Sequence, residues 1–265
     1  MDRVWISPPF EAACNALGLR SVRDFARHFS CQWPGAGAEV LHRTGFLPMP
    51  DGAVLPVHYK QYEYPDGSWR FVCRRSKARR EVTSYEHMEH AGVACAVPVA
   101  WGEQRDALHR LRRAFILTVL IPGAVPLPEF LRGLPPADRQ RAEVRRQLAD
   151  LARKAHAAGF SHCDLFVRNV LVSRPTPSKP VVWWIDSPRG HVWHFGVLRR
   201  RGAIRDLASL DKGAASLCSR TERLRFLLDY AGADRLDGRL RRMARAIEAY
   251  KTRRWPAKAV ASRRT

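Results

Sequence analysis

His162, Asp164 and Asn169 stand in the pattern H-x-D-x-x-x-x-N, and Asp186 ends the apolar run Val181-Val182-Trp183-Trp184-Ile185 that follows. Phosphoryl transfer needs this combination: one carboxylate to meet the acceptor hydroxyl, and an amide and a second carboxylate to hold magnesium against nucleotide phosphates. The pattern assigns Asp164 as the acceptor base and Asn169 and Asp186 as the metal ligands. Mg²⁺ prefers hard oxygen ligands and keeps several waters, so one carboxylate and one amide beside the phosphates suffice. Taken singly, Asp164 and Asn169 read as turn residues and Asp186 as a strand end; the joint spacing carries the assignment. With Asp164 available as a base, His162 is expected to orient the loop.

Such chemistry also calls for a strand lysine on the nucleotide phosphates and a helix glutamate that positions it. Lys60, in Val57-His58-Tyr59-Lys60-Gln61-Tyr62, fits the lysine if the period-2 register turns it inward. Glu81 is favoured as its partner over Glu86 and Glu89, which read as solvated face charges.

The elements that must position these residues divide the chain. Residues 54–62 and 69–74 are short β-branched and aromatic runs around Tyr64-Pro65-Asp66-Gly67-Ser68, which predicts a hairpin. A helix over 76–91 ends at Gly92, and strands follow near 96–101 and 114–121. Past Pro122-Gly123 the pattern turns helical: Val144, Leu148, Leu151 and Ala155 recur at helical spacing, as do Leu207, Leu210, Ala214 and Leu217, and then Leu236, Leu240, Met243, Ile247 and Tyr250. Two strands near 170–172 and 181–185 interrupt them as a second hairpin. The reading is an α+β, bilobal chain: a small β-rich N-terminal lobe with one main helix, residues 1–121, and a larger helical C-terminal lobe, residues 122–265. Ligands favour such junctions, so the chemistry is expected there. Trp183, Trp184 and Trp193 read as packing residues in preference to sugar platforms.

The 265 residues are 46% hydrophobic and 27% charged, which excludes disorder and fibrous repeats. Lys and Arg number 46 against 25 Asp and Glu, a net charge of +21, so an anionic partner is expected. No zinc-finger or RNA-binding pattern occurs, and no specific nucleic-acid partner is expected. The six cysteines include no C-x-x-C pair and read as reduced thiols. The first ten residues carry no signal-peptide pattern, and the apolar stretch 114–121 is far below the ~20 residues that cross a bilayer, which makes the cytoplasm the default compartment and any membrane contact peripheral.

Arg79-Arg80-Glu81 ahead of Gly92-Val93, the loop 162–172, Ile185-Asp186-Ser187-Pro188-Arg189-Gly190, Arg205-Asp206-Leu207-Ala208-Ser209-Leu210 and the stretch 219–227 together resemble the bacterial lipopolysaccharide kinases of the Kdo/WaaP type, across about residues 54–230. The resemblance implies a protein-kinase-like fold and the use of ATP and Mg²⁺ to phosphorylate a sugar hydroxyl, of Kdo or heptose, in lipopolysaccharide core or a related glycolipid. The +21 charge without a spanning segment makes an anionic membrane surface the expected partner, and a lipopolysaccharide acceptor would place it at the inner face of the inner membrane. Carried over, Lys60 matches the nucleotide lysine, Glu81 its partner, Asp164 the base, Asn169 and Asp186 the metal ligands, and Asp206 an aspartate that braces the catalytic loop, read here as a structural residue near a helix start. Three departures stand out. Position 163 is Cys where many protein kinases have Arg, so control by a phosphorylated activation loop is not expected. Ser187-Pro188 replaces Phe-Gly after the metal aspartate, and a glycine-rich phosphate loop is poorly marked, Gly35 and Gly37 ahead of Lys60 reading equally as a turn. The alternatives are another small-molecule phosphotransferase of the same fold and a catalytically inactive scaffold that binds membrane or nucleic acid.

Overall fold

The computed structural model describes residues 1–30, 40–176 and 179–256; Gly35 and Gly37 lie outside them. The chain divides into two compact units, one of residues 1–90, 94–124 and 183–190, the other of residues 91–93, 125–182 and 191–265.

The first unit is built on a five-stranded sheet of β1 (Asp2–Ile6), β2 (Val40–Pro48), β3 (Val54–Ser68), β4 (Pro98–Arg105) and β5 (Leu111–Val119), in the order β1-β4-β5-β3-β2 with antiparallel neighbours. Helices α1 (Glu11–Ala16) and α2 (Val22–Ser30) cover one face. There Phe25 stacks on Phe115 with ring centroids 4.4 Å apart, and Val57, Tyr59 and Leu117 complete a fully buried core. Side chains alternate along a strand, so placing Val57 and Tyr59 in this core turns His58, Lys60 and Tyr62 to the opposite face. Helix α3 (Lys77–His90) packs on β4 and β5; Ser76 caps it by accepting the Arg79 N–H, and Gly92 leaves it in the left-handed conformation.

The expected hairpin over 54–74 does not form. β3 runs through the Pro-Asp-Gly stretch as an irregularity between Glu63 and Ser68, with Gly67 at φ +71°, and its partners are β2 and β5. Turn residues can be absorbed as a bulge where a neighbouring strand continues the ladder. Residues 69–71 instead make a short 3₁₀ turn.

The second unit is mainly helical: α4 (Leu127–Arg132), α5 (Arg139–Ala157), α6 (Gly196–Ala214), α7 (Arg220–Ala231) and α8 (Gly238–Arg254). Asp138 and Asp237 cap α5 and α8, and Ser219 with Glu222 form a capping box on α7. Ile204, Leu207, Leu227, Leu240 and Ile247 form the core joining α6, α7 and α8. Two small sheets hold the loop segments: β6 (Val125–Pro126), β8 (Val170–Thr176) and β9 (Lys179–Trp184) in the order β6-β8-β9, and β7 (Phe160–Ser161) paired with β10 (His191–Val192). Trp184 is fully buried, as expected of a packing residue. Among the described residues, no helix is long and apolar enough to cross a membrane.

Candidate active site

In the first unit, β3 and α3 bring Lys60 to Glu81. The Lys60 Nζ lies 3.1 Å from Glu81 Oε2 and 2.6 Å from Asp186 Oδ1, and both Lys60 and Glu81 are buried. Burial alone would pull the lysine down, but the two carboxylates outweigh it and hold the ammonium above its ordinary value. Glu81 is fixed from both sides: Tyr62 donates its hydroxyl to Oε2 at 3.1 Å and Tyr85 to Oε1 at 3.0 Å. Tyr85 also accepts the backbone N–H of Asp186 at 3.1 Å, so one phenol ties the glutamate to the aspartate. Asp186 itself sits at φ +59°, a left-handed conformation that aspartate tolerates better than most residues. Glu86 is exposed on α3.

Composition and motif spacing did not single out Tyr62 and Tyr85. A signal was present: Tyr62 is two residues from Lys60 on one strand face and Tyr85 four from Glu81 on one helix face, so each is a spatial neighbour of an assigned residue.

His58 and His42 lie on the Lys60 face of the sheet, their rings joined at 3.3 Å from Nδ1 of His42 to Nε2 of His58. Burial, reinforced by the neighbouring His42 and Lys60, pulls His58 down to about 4. A depressed histidine contributes stability that is present above its unfolded value near 6.5 and is lost as the pH falls toward 4. By about pH 5 the penalty should reach about 2 kcal/mol. Urea denaturation of wild type and His58→Gln at pH 7 and pH 5 checks this: the wild type should lose more stability over that interval than the variant, and parallel losses would contradict it.

In the second unit, the loop after β7 carries His162, Cys163 and Asp164, and a 3₁₀ turn over Val167–Asn169 returns Asn169 toward Asp164. The Asn169 amide donates to the Asp164 carbonyl oxygen at 2.8 Å and to its Oδ2 at 3.3 Å, leaving the Asn169 side-chain oxygen as an acceptor. Arg168 places a guanidinium nitrogen 3.4 Å from the same Oδ2. That neighbour was legible only as an arginine four residues after the aspartate. Asp206 is fully buried and accepts the backbone N–H groups of His162 at 2.7 Å and Cys163 at 2.8 Å. These two bonds hold Cys163 at φ +64°. Asp206 lies deep within α6, which begins at Gly196, so the expected place near a helix start is corrected. The basic, glycine-containing opening of α6 hid its first three turns from the apolar periodicity. Gly202 lets that helix approach, since a Cβ there would collide with the Ser161 hydroxyl.

A strand lysine paired to a helix glutamate beneath an antiparallel sheet, and an H-x-D loop braced by a buried helix aspartate in a helical unit, belong to the protein-kinase-like class of folds. Across 95% of this chain and 97% of the other, the fold matches a WaaP chain solved in complex with acyl carrier protein, with a TM-score of 0.63 at 23% identity. Within that class, the chain belongs to the lipopolysaccharide kinase (Kdo/WaaP) family, whose pattern matches residues 66–230. It is 28% identical over 140 residues to the 3-deoxy-D-manno-octulosonic acid kinase of Vibrio cholerae serotype O1. That alignment takes in 51% of this chain and 55% of the relative, so the match spans about half the length of each.

Proposed function

We propose that this protein transfers the terminal phosphate of ATP to a sugar hydroxyl of lipopolysaccharide core, Kdo or heptose, or of a closely related glycolipid, working peripherally at the cytoplasmic face of the inner membrane. The observation that carries the reading is Lys60 held between Glu81 and Asp186 at 3.1 and 2.6 Å, a cation prepared for nucleotide phosphates. Asp164 accepts the acceptor proton. Arg168, beside it, offers positive charge to the transferring group. Asp186 offers a carboxylate that is 41% exposed, and Asn169 offers an amide oxygen; each is a hard oxygen donor of the kind Mg²⁺ takes. When bound, the ion supplies charge neutralisation on the phosphates. Family membership and the kinase relative support a sugar acceptor.

Incubating the protein with ATP, Mg²⁺ and a panel of lipopolysaccharide cores, other glycolipids, free sugars, aminoglycosides and a generic protein tests the acceptor class. Transfer confined to the core glycolipids is expected; transfer to the small molecules alone would move the assignment to another phosphotransferase. Asp186→Asn should weaken Mg²⁺-dependent ATP binding by about tenfold, because the site loses an anionic oxygen that holds the counter-ion of the phosphates. Titration of Mg²⁺ against ATP binding measures it, and identical metal dependence in the variant and wild type would remove Asp186 from the ligand set.

A second reading concerns a protein partner. The second unit carries an open pocket of about 310 Å³ lined mainly by apolar residues, including Leu131, Val144, Leu148, Leu210, Leu227 and Ile247. We propose that it takes an acyl chain presented by an acyl carrier protein, the partner in the WaaP complex. Acylated carrier protein should bind more tightly than the form without an acyl group in a pull-down, and Leu210→Trp should remove the difference. Equal binding of the two forms would contradict it.

A further inference from the structure

The first unit also presents a basic surface outside the cluster of Lys60, Glu81 and Asp186. Residues 69–80, from the end of β3 through the first turn of α3, hold five arginines and one lysine and no acidic residue. Trp69 opens this stretch and is 63% exposed. Beside it, the connection between β4 and β5 carries Leu108, 57% exposed. Side chains of this size ordinarily fold back onto the protein.

The two loops form one platform. Arg105 clamps them together, donating from Nη1 to the carbonyls of Phe71 at 2.7 Å and His109 at 3.1 Å, and from Nη2 to the carbonyl of Arg74 at 2.8 Å. Arg110 lays its guanidinium 5.3 Å from the centre of the Trp69 ring. Asp106 shapes the second loop by accepting the backbone N–H groups of Leu108 and Arg110 at 3.0 and 2.9 Å. Each loop also holds a non-glycine residue in the left-handed region, Cys73 at φ +55° and His109 at φ +58°. Exposed apolar tips are therefore fixed in place, rimmed by the exposed Arg70, Arg74 and Arg75.

We propose that this platform docks the protein on an anionic lipid surface, with Trp69 and Leu108 entering the interfacial layer and Arg70, Arg74 and Arg75 meeting headgroup phosphates. This rests on the membrane-facing glycolipid reading given above and names the surface that serves it. Tryptophan combines an apolar body with a polar edge suited to the headgroup layer, and basic side chains there gain from the surface potential of anionic lipids. An aliphatic tip beside the indole favours lipid over nucleic acid, where stacking alone would call for a second ring.

Co-sedimentation with vesicles of phosphatidylcholine alone and of phosphatidylcholine mixed with phosphatidylglycerol, across a salt series, tests it. Wild type should bind the anionic vesicles and release them as salt rises. Trp69→Ser/Leu108→Ser should weaken binding by about tenfold. Arg70→Gln/Arg74→Gln should weaken it comparably at low salt and flatten the salt dependence, while sparing the Arg105 clamp, which uses backbone carbonyls. Phe195→Ser/Val197→Ser, exposed apolar residues of the other unit, should bind as wild type does. Phosphorylation of a detergent-dispersed acceptor should be unchanged in all three variants. If the Trp69/Leu108 variant binds anionic vesicles as tightly as wild type, the platform is overturned while the membrane reading stands. If wild type binds neither vesicle, the membrane reading falls and the platform with it. Binding of RNA that depends on Trp69, with vesicle binding that does not, would overturn lipid as the occupant.

Discussion

Asp164→Asn should reduce turnover by about a thousandfold while leaving ATP affinity close to that of wild type. The substitution is nearly isosteric, so the loop should keep its shape: the Asn169 amide still finds the Asp164 carbonyl, and an asparagine oxygen can replace Oδ2 as its second acceptor. What disappears is the ability to take a proton from the acceptor hydroxyl, together with the negative charge opposite Arg168. Lys60, the lysine proposed to meet the nucleotide phosphates, belongs to a different constellation, with Glu81 and Asp186. Turnover and ATP binding are therefore expected to separate. Steady-state kinetics and direct ATP titration of the same preparation measure both, and near-normal turnover in the variant would remove Asp164 from the base role.

Asp206→Ala should destabilise the fold by about 3 kcal/mol and disable the molecules that remain folded. The carboxylate is fully buried and accepts the backbone N–H groups of His162 and Cys163, with His156 at 3.4 Å. Alanine would leave two buried donors without an acceptor and would release the left-handed conformation at Cys163, one residue before Asp164. Asp206→Asn keeps one acceptor oxygen and should cost less. Urea denaturation gives the stability order, wild type above Asn above Ala; activity of the folded fraction should follow the same order. An alanine variant with wild-type stability and activity would show that the loop holds its shape without the brace.

What the sequence discloses follows from how local each signal is. The α3 boundaries were legible because Ser76 is a local start signal and Gly92 a local stop signal, and α5 because Asp138 precedes a clean apolar stripe. The hairpin over 54–74 was misread because local turn chemistry at Pro65-Asp66-Gly67 yields to β5, a partner supplied from more than forty residues away. The opening of the chain held a signal that went unread: Ser21 and Asp24 exchange bonds at the start of α2, with Asp24 Oδ2 accepting the Ser21 N–H at 2.8 Å. The candidate site divides the same way. Asp164, Asn169 and Asp186 stand out because their spacing is itself the pattern. Tyr62 and Tyr85 act through the third dimension, meeting Glu81 from a strand and from the next turn of its own helix, and no motif records them. Asp206 was found as a brace but misplaced along its helix, because the basic, glycine-containing opening of α6 hid where that helix starts.

In the proposed reaction one phosphate passes from ATP to a sugar hydroxyl of a lipopolysaccharide-core glycolipid. Mass spectrometry of that glycolipid after incubation with the protein, ATP and Mg²⁺, with ADP counted in the same reaction, tests it most directly. One added phosphate on a core sugar is expected, with one ADP for each phosphate transferred, and both products should form about a thousandfold more slowly with Asp164→Asn. ADP released without phosphate on the glycolipid, or no turnover with any core acceptor while ATP binds normally, would contradict it.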